Sequence, residues 1–267
     1  MIIDAHTHIF PDKIADRSIK TLETIGKQAA VIGGREDDLL GAMKNSGIDK
    51  SIVMPVLTKP EQFESINRFA ANINKSTKLI SFAGIHPHCE NINKLLNTIV
   101  EMGFKGVKLH PDYQQTDITD RGYAEIIDGC RRRGLKVMIH AGIDPAYPQH
   151  IHCPPELSSR VVRELTPKGS EPFIILAHMG GAESIEKVER LLVGLPVFFD
   201  TSFVLEKIDR TILHEIIRAH GYKRILFATD SPWRNAKEYL RIINSLNLNE
   251  NEKKCILGAN CAELLCL

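Results

Sequence analysis

Short runs of apolar and β-branched residues, bounded by turn residues, recur eight times along the chain. Their apolar residues do not alternate with polar ones, which is typical of parallel strands buried on both faces. Between the runs, apolar residues recur at helical spacing, so strand and helix alternate. The predicted strands are Met1–Ala5, Ser51–Pro55, Leu79–Ala83, Gly106–Leu109, Lys136–Ile139, Phe173–Ala177, Val197–Phe199 and Ile225–Ala228.

Eight βα units in 267 residues predict an α/β fold of the closed (β/α)8 TIM barrel type. A linker, charge block or low-complexity tract does not divide the sequence, so residues 1–267 are predicted to form a single domain. Residues 10–35 are predicted to add a loop and a helix over the barrel mouth. An open doubly wound sheet is the alternative, but a G-x-G-x-x-G motif does not follow the first predicted strand.

Composition and charge exclude several classes of partner. The 34 basic and 33 acidic residues give a net charge of +1, which argues against nucleic acid or an acidic membrane surface. The apolar runs stay below the ~18 residues that a membrane span needs, and the first residues do not resemble a signal peptide. The six cysteines form no C-x-x-C motif and are expected to be reduced thiols in a cytoplasmic protein.

The histidines are unevenly distributed, because seven of the 11 follow the ends of predicted strands. In a barrel, the carboxyl ends of the strands carry the chemistry. Clustered imidazoles are costly to bury without partners and repel one another when protonated, and a bound cation removes both problems. The seven histidines are His6, His8, His86, His88, His110, His140 and His178.

The first predicted strand ends in a His-x-His pair. Residues two apart on a strand share a face, so His6 and His8 are predicted to point together into the barrel mouth. His140, His178 and Asp230 follow the fifth, sixth and eighth predicted strands. Imidazoles with one carboxylate form a site for zinc or a similar metal rather than for Mg²⁺ or Ca²⁺.

In this order of motifs the chain resembles the amidohydrolase superfamily of metal-dependent barrels. It is most similar to the branch of aminocarboxymuconate-semialdehyde decarboxylase and its hydrolase relatives. The resemblance covers essentially the whole chain, from the first strand to Gly258-Ala-Asn-Cys261. It implies that one divalent metal, expected to be zinc, is held by four ligands: His6, His8, His140 and Asp230. Asp230 would also accept the proton of the metal-bound water, and His178 would act as acid/base.

Further candidates line the predicted pocket. The resemblance allows a second metal if Lys108, on the fourth strand, is carboxylated, and His178 would then be a ligand. An unmodified Lys108 that binds an anionic substrate is the alternative. His110 and Trp233 are additional candidates for substrate contact. His214 and His220 fall on a predicted helix and are expected at the surface.

The predicted activity is hydrolysis of a small-molecule lactone, ester or amide by metal-activated water. The alternative is non-oxidative decarboxylation of an aromatic or muconate-type acid, which requires cations to hold the substrate carboxylate. Lys108 and Arg234 are the cations near predicted strand ends, and their small number favours hydrolysis. A non-catalytic metal-binding barrel is a third hypothesis. Members of the branch are often dimers, so the resemblance allows a homodimer.

Overall fold

Parallel strands follow one another in chain order through the molecule. The computed structural model describes residues 1–267, apart from the side chain of residue 182. The strands are β1 (Ile3–Thr7), β2 (Lys50–Val53), β3 (Leu79–Ser81), β4 (Ala83–Gly84), β5 (Gly106–Leu109), β6 (Lys136–Ile139), β7 (Ile174–Leu176), β8 (Phe198–Asp200) and β9 (Ile225–Leu226).

The strands form two parallel sheets, of β1 to β3 and of β4 to β9, and backbone hydrogen bonds link both junctions. Phe82 alone separates β3 from β4, and its N–H donates to Val53 at 3.0 Å, so β3 and β4 are one interrupted strand. At the other junction, the Ala5 N–H donates to Phe227 at 2.9 Å and Thr7 pairs with Ser231. The chain is a (β/α)8 TIM barrel, as the sequence predicts.

Helices connect the strands and cover the barrel. They are α1 (Asp12–Gly26), α2 (Glu36–Ser46), α3 (Phe63–Ile73), α4 (Ile92–Glu101), α5 (Arg121–Arg132), α6 (Pro155–Leu165), α7 (Ile185–Leu191), α8 (Arg210–His220), α9 (Ala236–Ser245), α10 (Glu250–Lys254) and α11 (Asn260–Leu265). Helix α1 lies in the long first interval, where an extra helix is predicted. Within the described residues, no helix combines the length and apolar character needed to cross a membrane.

Alternate residues of each strand face the helices and the barrel interior. On β5, Val107 and Leu109 belong to the core between strands and helices, and Lys108 lies between them in the chain. The residues packed inside the lower barrel are apolar, including Ile52, Met138 and Leu226. Because this packing fills the lower interior, the polar side chains that follow the strands are confined to the carboxyl end.

One expectation about the surface is wrong. His220, at the end of α8, is fully buried rather than exposed. Its Nε2 lies 2.8 Å from the Val197 carbonyl, and its Nδ1 accepts a hydrogen bond from the Gly194 N–H at 3.1 Å. Both ring nitrogens of a neutral His220 are therefore satisfied, which permits burial.

Candidate metal centre

Three side chains at the carboxyl end of the barrel form a tight group, the first cluster: His6, His8 and Asp230. The Nε2 atoms of the two histidines are 3.1 Å apart. Asp230 Oδ1 lies 3.2 Å from His8 Nε2 and 3.6 Å from His6 Nε2. Ligand atoms about 2.1 Å from one zinc-type ion lie roughly 3 to 3.5 Å apart, so these three atoms match one coordination sphere.

Outer hydrogen bonds fix which ring nitrogens carry hydrogen. His6 Nδ1 lies 2.8 Å from Asp200 Oδ2, and His8 Nδ1 lies 2.7 Å from the Met54 carbonyl oxygen. With Asp200 ionised, both partners accept hydrogen bonds, so each Nδ1 donates and each Nε2 presents a lone pair in the neutral ring. Two lone pairs and one carboxylate then face a common point, which is the electronic arrangement that a cation requires. The residues fit a divalent metal.

Burial and nearby charge hold the first cluster in metal-binding protonation states. Burial, followed by the charge of Lys108, lowers the pKa of His6 to about 3. Burial alone would raise the pKa of Asp230, but its hydrogen bond with His8 and the nearby imidazoles hold it well below its usual range. At neutral pH, His6 is therefore neutral and Asp230 is ionised, as metal ligands must be.

Lys108 contributes an amine to the same place. Its Nζ lies 3.1 Å from His6 Nε2, and the residue is only 1% exposed. Burial lowers the pKa of Lys108 to about 8, so the amine is mainly protonated at pH 7. The carboxylated form, with its second metal, stays a prediction.

His178 and His140 lie beside the first cluster. The His178 ring stacks on His6 with centroids 5.5 Å apart, and its Nε2 lies 3.0 Å from His140 Nδ1. His140 does not belong to the group that His6, His8 and Asp230 form within 4.8 Å, among the described residues. Its assignment as a ligand of the same ion therefore stays a prediction.

The other two candidates occupy different surroundings. His110 stacks on His140, with ring centroids 4.0 Å apart, and its Nε2 lies 3.5 Å from Asp144 Oδ2. Trp233 packs against the apolar core, and its backbone N–H donates to the Asp230 carbonyl at 2.9 Å. His110 is thus next to the histidine cluster, whereas the contacts of Trp233 support the loop that carries Asp230.

The sequence argument missed several polar residues at this end of the barrel. Asp200 ends β8, where it contacts His6 and accepts from the His178 backbone N–H at 2.9 Å. Ser202 Oγ lies 2.8 Å from His178 Nδ1. The position of Asp200 immediately after the seventh predicted strand is the signal that would have found it. Asp112 and Asp144 lie in the loops that follow β5 and β6, where adjacency to a strand end gives no such signal.

Comparisons with known proteins agree with this geometry. A family model described as amidohydrolase matches residues 3–267. No curated protein matches the sequence at a significant level. Solved structures with the same fold cover nearly the whole chain at low identity.

These structures include decarboxylases and a protein described as a hydrolase. The 5-carboxyvanillate decarboxylase of Novosphingobium aromaticivorans, complexed with manganese and 4-hydroxy-3-methoxy-5-nitrobenzoic acid, superposes with a TM-score of 0.75 at 16% identity, covering 100% of this chain and 96% of that one. The 2,6-dihydroxybenzoate decarboxylase of Rhizobium superposes with a TM-score of 0.70 at 16% identity, covering 99% of this chain and 98% of that one. A Pseudomonas putida protein provisionally described as a 2-pyrone-4,6-dicarboxylic acid hydrolase superposes with a TM-score of 0.67 at 17% identity, covering 99% of this chain and 97% of that one.

Proposed function

Because the chain belongs to the amidohydrolase family, we propose that it is a metal-dependent, non-oxidative decarboxylase of an aromatic or muconate-type carboxylic acid. The ion would be held by His6, His8 and Asp230, with His140 as the predicted fourth ligand. Hydrolysis of a lactone, ester or amide, which the sequence argument favoured, becomes the alternative.

The observation that carries the proposal is the position of the Lys108 ammonium, 3.1 Å from a nitrogen of the first cluster. An ion and a protonated amine side by side make a strongly positive pocket, which favours an anionic substrate. Arg234, the other cation predicted near a strand end, pairs with Glu206 and lies over the Phe203 ring. Lys108 is therefore the better candidate for a substrate carboxylate or an adjacent ring oxygen.

The solved structures support the same choice. Two of the three described above are decarboxylases of hydroxylated benzoic acids. Because one of the three is described as a hydrolase, hydrolysis is the reaction to test against decarboxylation. The manganese in one decarboxylase also means that zinc, expected from the ligand types, is one of several metals to test.

When bound, the divalent ion supplies Lewis acidity that orients the acid and polarises its oxygen atoms. Lys108 would bind the anion through a charge-assisted hydrogen bond. His178, as imidazolium, would give its Nε2 proton to the carbon that bears the carboxylate. The bond from that carbon to the carboxylate then breaks, its electrons return to the unsaturated system, and CO₂ leaves with the ring neutral.

The surroundings of His178 suit a proton donor. Its Nδ1 lies 3.1 Å from the Ser202 carbonyl oxygen and 2.8 Å from Ser202 Oγ. Since the carbonyl oxygen only accepts, Nδ1 keeps its hydrogen and Nε2 is the nitrogen that gains and loses a proton. Asp200 Oδ1 accepts a hydrogen bond from the His178 backbone N–H at 2.9 Å, which helps to hold the residue in place.

The test measures CO₂ release by metal-loaded protein from a panel of hydroxylated benzoates and muconate-type acids, with lactones, esters and amides in parallel. We expect CO₂ from at least one acid and, in D₂O, deuterium at the carbon that carried the carboxylate. His88→Ala is the matched control, because His88 is an exposed histidine after a strand and should leave the rate unchanged. Hydrolysis of the panel without CO₂ release would overturn the proposal in favour of the alternative.

A further inference from the structure

Two buried polar residues adjoin the ligands of the first cluster along the chain: Asp4 and Thr229. Asp4 is on β1, two residues before His6, and Thr229 immediately precedes Asp230. They are only 1% and 0% exposed, and neither has a role in the proposed function. Buried polar groups are kept in a structure with their hydrogen bonds satisfied, so the partners of these two side chains indicate what they do.

The Asp4 carboxylate bonds both segments that carry the ligands. Its Oδ1 accepts from the Thr229 N–H at 3.0 Å and from the His6 N–H at 3.3 Å. Its Oδ2 accepts from the Thr229 hydroxyl at 2.6 Å. One side chain thus links β1 directly to the segment after β9, next to the residues that bear the ligand atoms.

The Thr229 hydroxyl also closes the bend of the chain at Asp230. Its oxygen accepts from the Ser231 N–H at 3.0 Å, so this hydrogen bond spans Asp230. The φ angle of Asp230 is 65°, which a residue with a Cβ adopts where its surroundings enforce it. The Asp230 N–H itself donates to the His6 carbonyl at 2.9 Å. Side-chain and backbone hydrogen bonds together therefore fix the direction of the Asp230 carboxylate.

We propose that Asp4 and Thr229 are positioning residues for the metal, which hold the Asp230 carboxylate against His6 and His8 without contacting the ion. The ligand atoms of the first cluster lie 3.1 to 3.6 Å apart. A binding site has to be held within roughly 0.5 Å of its productive geometry, and the link through Asp4 fixes the backbone on which one of the three ligands depends. The inference rests on the metal centre of the proposed function and not on its reaction.

The experiment measures Mn²⁺ affinity by titrating metal-free protein and following the electron paramagnetic resonance signal of free Mn²⁺. Thr229→Val replaces the hydroxyl by a methyl group of similar size. We expect its Mn²⁺ affinity to fall roughly 10- to 100-fold, the range for loss of an outer hydrogen bond in a metal site. Thr229→Ser keeps the hydroxyl and should restore the wild-type affinity. His8→Asn, which lacks a ligand, gives the background from Mn²⁺ bound elsewhere.

The matched control separates positioning from stability. Ser81 is a fully buried hydroxyl on β3, and its hydrogen bonds go to the Phe82 and Val53 carbonyls at 2.9 Å and 3.4 Å. Loss of a buried hydrogen bond destabilises either variant, so urea unfolding of metal-free Ser81→Ala and Thr229→Val should show a lower free energy of unfolding in both. Only Thr229→Val should bind Mn²⁺ more weakly.

Wild-type affinity in Thr229→Val, equal weakening in Ser81→Ala, or an affinity that stays low in Thr229→Ser would each overturn the inference. If Thr229→Val does not fold by circular dichroism, Asp4→Asn is the second variant, because it replaces one acceptor oxygen by an N–H donor and should weaken Mn²⁺ binding in the same way. A wild type that binds no Mn²⁺ would refute the first cluster and this inference together. Mn²⁺ binding without CO₂ release would refute the proposed reaction alone.

Discussion

At the scale of single residues, the metal centre depends on where hydrogens lie. His6 and His8 each use Nδ1 for a hydrogen bond to a fixed acceptor, Asp200 and the Met54 carbonyl respectively. The paired Nε2 atoms are therefore oriented before any ion arrives. Such preorganisation stabilises a bound ion, since little freedom is lost on binding.

Loss of one ligand should remove metal and activity together. In His8→Ala, we expect metal affinity to fall by more than ~100-fold, because even outer-sphere changes cost about 10–100-fold. Equilibrium dialysis and the CO₂ assay measure the two effects. His88→Ala is the control, and a variant His8→Ala with full metal content and activity would contradict the assignment.

Replacement of the proposed acid should separate metal from catalysis. His178→Asn is expected to lower kcat by about 10² to 10⁴, the usual contribution of a general acid, while the first cluster keeps its ion. Steady-state kinetics and metal analysis on the same sample check this. If His178→Asn loses metal, His178 is a ligand rather than the acid.

Lys108 should act on substrate affinity. Lys108→Met removes the ammonium but keeps most of the buried volume, so we expect KM for the acid to rise roughly 10- to 100-fold, corresponding to one charge-assisted hydrogen bond. Metal content should be unchanged. Loss of metal would indicate that a carboxylated Lys108 bridges two ions, and an unchanged KM would exclude contact with the anion.

At the scale of elements, the ends of strands direct these side chains. His178 and Asp230 both have positive φ angles, 56° and 65°, which residues with a Cβ adopt rarely. Strain of this kind persists where the surrounding structure enforces it, commonly at functional sites. The chain bends immediately after β7 and in the segment after β9, at the residues proposed as acid and as ligand.

Strand ends could be located from sequence because the apolar runs are short and clearly bounded. The sharing of a face by His6 and His8 follows from strand periodicity, although the register of β1 against β2 shifts between Asp4 and Thr7. Side-chain partners could not be located in this way. Nothing near His6 in the sequence indicates Asp200, because the two residues meet only when β1 and β8 take their places in the barrel.

The buried His220 on helix α8 should make the free energy of unfolding depend on pH, whether or not metal is bound. Burial lowers the pKa of His220 to about 4, from 6.5 in the unfolded chain. The native state then binds fewer protons than the unfolded state between these values, so stability is lost as pH falls through this window. The contribution of His220 should be roughly 2 kcal/mol smaller at pH 5 than at pH 7.

Urea unfolding at the two pH values measures this loss. His220→Gln, which keeps an amide donor and an acceptor, should lose less stability on acidification than the wild type. His214→Gln, on a less buried part of α8, should lose as much as the wild type. Equal losses in wild type and His220→Gln would contradict the buried neutral imidazole.

At the scale of the whole molecule, the barrel converts positions far apart in sequence into one site. Asp230 follows His8 by more than two hundred residues, yet β1 and the end of β9 are neighbours because Thr7 pairs with Ser231. Alternation of strands and helices was enough to predict this topology. It could not predict that His140 contacts the His178 and His110 rings, because ring orientation depends on tertiary contacts.

The most direct test of the account is anomalous diffraction from crystals grown with Mn²⁺. We predict an ion with His6 Nε2, His8 Nε2 and Asp230 Oδ1 all within about 2.3 Å, a normal bonding distance for nitrogen and oxygen ligands. An anomalous map at saturating Mn²⁺ with no peak among these three atoms would contradict the metal centre and, with it, the proposed decarboxylation.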